Sequence, residues 1–336
     1  MRQAMRCMLL WTLAVGCGGS ERPPGRDPEG TAELTETGLV ADTDTPPSTS
    51  TNSTDACEAV PEPIGDPATV PLAGACAPGS KLGELSVCLC DPITLLTADV
   101  RESSMPGALL EVVGSERGCT LLKRNNPFCD PPCDAGEACE FDDVQMVDAD
   151  DLGDCTALPA VQDIGCVTIG GLQEDLVLFG PDPPAALPYP PFLPGALIEL
   201  QTHGTSFGSD ITLHGVGLEP IDLGSDSTWV IADQVDLPIT WSDPGQGLQS
   251  TVQVWLDIDL ESSTPTIMTC EFPDSGSALL PGGLLHELIA AGVSGFPVAT
   301  VTRHTVDSTE IVPGGCVEFS IRSTVAVDVS VNPAGG

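Results

Sequence analysis

Three short stretches and one acidic run of this chain carry residues whose type and spacing can do chemistry. Asp274-Ser275-Gly276-Ser277 matches D-[ST]-G, which supplies one carboxylate of an aspartic-peptidase dyad. That chemistry needs two carboxylates sharing a proton, so a second motif or a dimer about this one is required. No second D-[ST]-G occurs, and Pro273 interrupts the apolar strand that should lead into the motif. The competing reading is a turn at the start of a helix. Gly204-Thr205-Ser206-Phe207-Gly208 fits G-x-S-x-G, a strand-to-helix turn that exposes a nucleophilic serine. Here Ser209-Asp210-Ile211-Thr212-Leu213 continues as a strand, so a hairpin loop is expected instead. Trp255 lies on the polar parity of its stretch, between Gln253 and Asp257 and followed by Asp259. An indole flanked by carboxylates and an amide suits stacking on a sugar ring, with hydrogen bonds to its hydroxyls. The alternative is that a loop or the cysteine-rich part covers it.

Two metal readings come from the same inspection. Asp148, Asp150, Asp151 and Asp154 open like a calcium loop, with Gly153 at the sixth position. Leu152 at the fifth and Pro159 at the twelfth, where a bidentate Glu belongs, exclude an EF-hand. A looser Ca2+ site is the one cofactor the sequence offers, against a solvated acidic loop. On strand parity, His203 shares a face with Glu199 and can approach His214 across the hairpin. That pair is a candidate metal site, set against ordinary exposed histidines.

The elements that must position these residues read as strands. Val317, Phe319, Ile321, Val325, Val327, Val329 and Val331 fall on one parity, and Glu318, Ser320, Arg322, Thr324, Asp328 and Ser330 on the other. Val252, Val254, Leu256, Ile258 and Leu260 repeat this half-buried pattern. Further strands are expected near residues 85–89, 95–100, 108–113, 118–122, 166–169, 175–179, 196–202, 211–216, 228–232, 237–241, 266–270 and 298–306. One helix is expected from Gly283 to Ala291, ended by Gly292. This is the pattern of an all-β chain: a disulfide-rich small β unit at 57–166, then an antiparallel β-sandwich at 167–333 with one short helix.

Composition sets bounds. Eleven Lys+Arg against 49 Asp+Glu give a net charge of −38, which argues against nucleic acid as a partner. With 41% hydrophobic residues, the chain can still build a core. There are 14 cysteines, ten of them between Cys57 and Cys166. Disulfides are the default in an oxidising compartment, and the C-x2-C spacing of structural zinc is absent. Pairing within the ten cannot be read; the isolated Cys270 and Cys316 are expected to pair with each other, closing a loop worth about 4 kcal/mol.

The N-terminus supplies an address. Arg2 and Arg6 precede an apolar run from Cys7 to Val15, far short of the roughly 20 residues that span a bilayer. Residues 1–16 therefore read as a signal peptide. Leu13-Ala14-Val15-Gly16-Cys17 resembles the lipobox of bacterial lipoproteins, which implies cleavage before Cys17 and acylation of its thiol. Residues 18–56 are polar and lack aromatics, so residues 17–56 form a lipidated cysteine and flexible tether, holding the fold about 35 Å from the membrane. Gly18 and Gly19 lack the aspartate that, in the lipoproteins it resembles, retains the anchor at the inner membrane, which points to the outer membrane or cell surface. With GCTLLKRNNPFCDPPCDAGEAC and CEFPDSGSALLPGGLLHELIAAGVSGFP, the whole plan resembles secreted lipoproteins of the myxobacterial type. That resemblance implies location and domain plan, and no catalytic residue. The expected function is a non-enzymatic surface module meeting glycan, surface protein or calcium; the alternative is a secreted hydrolase using Asp274 or Ser206.

Overall fold

The computed structural model describes residues 60–332, apart from 61, 78, 91–92, 102, 104–108, 126–128, 141–152, 180–185, 207–209, 225–227, 245–248, 260–264, 294–296 and 312–314. The signal peptide, Cys17, the tether, Asp148, Asp150 and Asp151 lie outside the described residues.

The fold is all-β. The first strands are β1 (Lys81–Cys90), β2 (Ile93–Val100), β3 (Leu109–Glu116), β4 (Cys119–Asn125), β5 (Glu137–Glu140) and β6 (Asp154–Ala157). Then come β7 (Cys166–Gly170), β8 (Leu176–Phe179), β9 (Ala186–Leu187), β10 (Leu197–His203), β11 (Ile211–Val216) and β12 (Thr228–Ala232). The chain continues with β13 (Leu237–Thr240), β14 (Thr251–Asp257), β15 (Thr266–Pro273) and β16 (Ser277–Leu280). Helix α1 (Gly282–Ala291), β17 (Val298–Ile311) and β18 (Gly315–Asn332) complete it.

One large sheet runs in the order β3-β4-β15-β14-β17-β18-β1-β2-β9, with β12 also on β18. Pairing is mostly antiparallel, but β1 and β12 both run parallel to β18. The alternating residues of β14 explain its place near the centre. Val252, Val254 and Leu256 are fully buried on one face, each worth about 2 kcal/mol of transfer free energy. The inner face of the sheet carries two cores. One gathers Val252, Val254, Leu256, Met268, Trp229 and Trp241 beneath Leu284, Leu285 and Leu288 of α1. The other packs Leu85, Val87, Phe319 and Ile321 against Ile169, Ile198, Leu200 and Leu213 of a second sheet, ordered β11-β10-β7-β8. The two sheets touch at Gly215, where an added Cβ would lie 2.6 Å from Ile321 Cγ1.

Two expectations change here. Strands from both sides of residue 166 share the large sheet: β4 pairs with β15, and β1 with β18. The break at 166 is therefore not a break between sheets. Cys270 and Cys316 do not pair with each other: Cys270 is bonded to Cys119 and Cys316 to Cys76. The reason is geometric. Cys270 shares the core face with Met268 and Phe272, directly opposite Cys119 on β4. Cys316 lies three strands away on the other parity from Val317 and Phe319, and so points to the opposite face.

Candidate functional site

Asp274 follows the last residue of β15 and is withdrawn from solvent. Its side chain is 2% exposed, and that of its partner Arg303 is 0% exposed. Arg303 Nε donates to Asp274 Oδ2 at 2.7 Å and Nη2 to Oδ1 at 3.3 Å. Trp241 Nε1 donates to Oδ1 and Ser250 Oγ to Oδ2, both at 2.7 Å. Arg303 also donates from Nη1 to the Glu219 carbonyl and from Nη2 to the Ser242 carbonyl. A peptidase dyad needs a second carboxylate against the first, and Asp274 instead faces a guanidinium. Its role is to neutralise a buried arginine that ties β17 to the loops before β12 and β14.

Ser206 sits in the connection from β10 to β11, exposed, with its Oγ donating to Gln162 Oε1 at 2.9 Å. An amide oxygen cannot serve as a general base, and the nearby His203 is turned to Asp210 at 3.3 Å. The strand that follows at Ile211 leaves no strand-to-helix elbow. His203 and His214 do not converge. His214 lies 3.7 Å from both Glu199 and Asp307. Among the described residues, the one group close enough to share an ion is Cys129, Cys133 and Cys155. Those sulfurs are used by the Cys129–Cys139 and Cys133–Cys155 disulfides. Asp154 is exposed at the start of β6.

Trp255 remains on the outer face of the large sheet, half-buried between Thr269 of β15 and Thr300 of β17. The acidic pair beside it behaves differently from the sequence pattern. Asp257 is 3% exposed and accepts the Asp259 backbone N–H at 2.9 Å. Burial pushes the Asp257 carboxyl above the usual range. The Asp259 amide and, more weakly, Arg124 pull it back, while the Asp259 charge adds to the rise. Asp257 thus offers no free carboxylate to a ligand.

Further along the same face is a cleft of about 400 Å³, lined among others by Thr251, Gln253, Glu271, His304, Arg322 and Lys81. Strand register brings them together: Gln253 lies opposite Glu271 and Thr302, and Thr251 opposite His304. The segment at Leu72 to Ala75 forms another wall, pinned by Cys76 N–H to Glu318 Oε1 at 2.8 Å and Ala73 N–H to Asp307 Oδ1 at 2.8 Å. The cations here are matched by acids. Lys81 pairs with Glu84 and Glu318, and Arg322 with Glu84. Burial raises the Glu84 carboxyl, but Arg322 and Lys81 together outweigh it and hold it below the usual carboxylate range. Burial, then Arg322, hold His304 below its ordinary pKa, so the ring is neutral at pH 7; its Nε2 lies 2.7 Å from Thr251 Oγ1.

The sequence singled out Trp255 but not this cleft or Arg303. Arg303 had a visible signal, a charge on the buried parity of Ala299, Val301 and Thr305. The cleft had none, because its residues come from five strands joined only by tertiary pairing.

No family model matches the chain. No curated protein matches it either. Among solved structures, the crystal structure of chicken CNTN1 FN1–FN3 domains is similar over 67% of this chain and 67% of that one, at 12% identity. The TM-score is 0.17, a superposition that shares too little of the chain path to bear on fold or function.

Proposed function

We propose that this chain is an exported, non-enzymatic binding or structural module, held at the outer membrane or cell surface by a lipid on Cys17. The observation that carries the non-enzymatic part is the saturation of Asp274 by Arg303, Trp241 and Ser250. The best catalytic candidate is a buried structural ion. The disulfides mark a protein that folds in an oxidising, extracytoplasmic compartment. The anchor rests on the sequence around Cys17 and on the polar tether that follows it.

Two measurements test the reading. Cys17→Ser is expected to move the protein from the membrane fraction to the soluble one, and retention in the membrane would count against the anchor. The Ser206→Ala protein, screened beside the parent for peptidase, esterase and glycosidase activity, is expected to match it at background. Any activity that this substitution removes would overturn the non-enzymatic reading.

A further inference from the structure

We propose that the outer face of the large sheet binds a neutral oligosaccharide along β14, with Trp255 as the stacking platform and the cleft beside Gln253 as the hydrogen-bonding end. This names the ligand class of the binding module inferred above and rests on that reading. Trp255, Gln253 and Thr251 alternate on one face of one strand, so they run about 14 Å in a line. That length suits several linked rings rather than one. The indole stands between the short side chains of Thr269 and Thr300 and is half-buried, so part of it faces solvent. Around it the face is rich in hydroxyls: Thr302 and Thr324 are 3.0 Å apart, and Thr251 meets His304 at 2.7 Å. An apolar ring and hydroxyl groups in one track match a sugar, which has an apolar face and a hydroxyl edge.

Charge selects the neutral class. Lys81 and Arg322 are already bound to Glu84 and Glu318, and Glu271 adds a further acid to the cleft. The cleft has no spare cation for a sulfate or uronate, and the whole molecule at −38 repels anions. The site is also preorganised. β14 is paired on both sides, and the cleft wall is tied by the Cys76–Cys316 disulfide.

The test titrates the full protein with cellohexaose, maltohexaose and mannohexaose, with a heparin hexasaccharide as the anionic comparator, following heat and tryptophan emission. Saturable binding of at least one neutral hexamer is expected, with a change in emission. Trp255→Ala is expected to weaken it about tenfold or more, and Trp255→Tyr, which keeps a ring, to retain most of it. Phe179→Ala, on the second sheet, should bind like the parent. Melting temperatures of all variants separate loss of site from loss of fold. No saturation by any neutral hexamer, preference for the heparin fragment, or unchanged binding by folded Trp255→Ala would overturn the proposal. Binding of another ligand class alone would overturn the glycan site and leave the module reading standing. Release of shorter sugars would overturn the non-enzymatic reading, and its loss in Trp255→Ala would support the site.

Discussion

Arg303 stands on the buried parity of β17, after the apolar Ala299 and Val301 and before the polar Thr305 and Asp307, and this explains what Asp274 is for. A guanidinium at 0% exposure needs a counter-ion and acceptors, and Asp274 with the Glu219 and Ser242 carbonyls supplies them. Removing one partner of a buried pair leaves the other uncompensated, at a cost of about 3–5 kcal/mol. Asp274→Ala is therefore expected to lower stability by about that amount in urea denaturation, and a change below about 1 kcal/mol would contradict the assigned role. Asp257 makes the opposite case. Its raised pKa means the folded protein keeps a proton that the unfolded chain gives up. Stability therefore falls as pH rises from about 3.8, the unfolded value, through the folded one. Asp257→Asn can still accept from the Asp259 amide and is expected to raise the melting temperature at pH 7. The gain should shrink as pH falls toward about 4, the unfolded value, and be absent below it; a gain equal at every pH would mean that ionisation is not its source. Asp274 was legible as a singular residue, and its partner was legible as a misplaced charge. Nothing local to either sequence joins them.

Elements were more legible than residues, because a period of two is written into each strand. β11 and β12 fall where alternation puts them, and α1 begins one residue before the leucine stripe predicts. β16 escaped notice because Ser277 to Leu280 lies in the stretch that invited a motif reading, and β5 and β6 because four-residue strands carry too little pattern. The β3–β4 hairpin turns on Arg117 at φ 51° and Gly118 at φ 80°, both in the left-handed region, as a two-residue type I′ turn requires. Gly118 also meets the next strand. A Cβ there would lie 2.8 Å from the Glu271 carbonyl oxygen, which is backbone and cannot swing away. Glu271 N–H donates to Gly118 O at 2.9 Å, so the turn is fastened to β15 as well as to itself. Gly118→Ala combines a left-handed penalty with this clash and is expected to cost about 2–3 kcal/mol in chemical denaturation. A cost under about 0.5 kcal/mol, the usual range for an exposed surface change, would show the turn to be loosely held.

For the molecule as a whole, what could be read and what could not divide along chain separation. Alternation and cysteine number are local or countable, and they gave an all-β, disulfide-bonded protein. Pairing is neither: β1 lies parallel to β18, and Cys76 is bonded to a cysteine 240 residues away. No spacing rule reaches that far, which is why Cys270 and Cys316 looked like partners when each in fact joins an early strand or arm to a late one. The consequence is mechanical as well as topological. Residues 60–80 lead into the sheet, and Cys76–Cys316 fastens this arm at the start of β18, the longest strand among the described residues. Without that bond the arm is still held by hydrogen bonds, among them Ala73 to Asp307, Cys76 to Glu318 and Gln249 to Val70. Replacing both Cys76 and Cys316 by Ala should cost about 2–5 kcal/mol, or roughly 10 °C in melting temperature. Limited proteolysis of that variant should cut first between residues 60 and 80, before any strand of the large sheet, because the arm can open without unpairing the sheet. If cleavage instead began in β17 or β18, the disulfide would be holding the sheet itself rather than the arm.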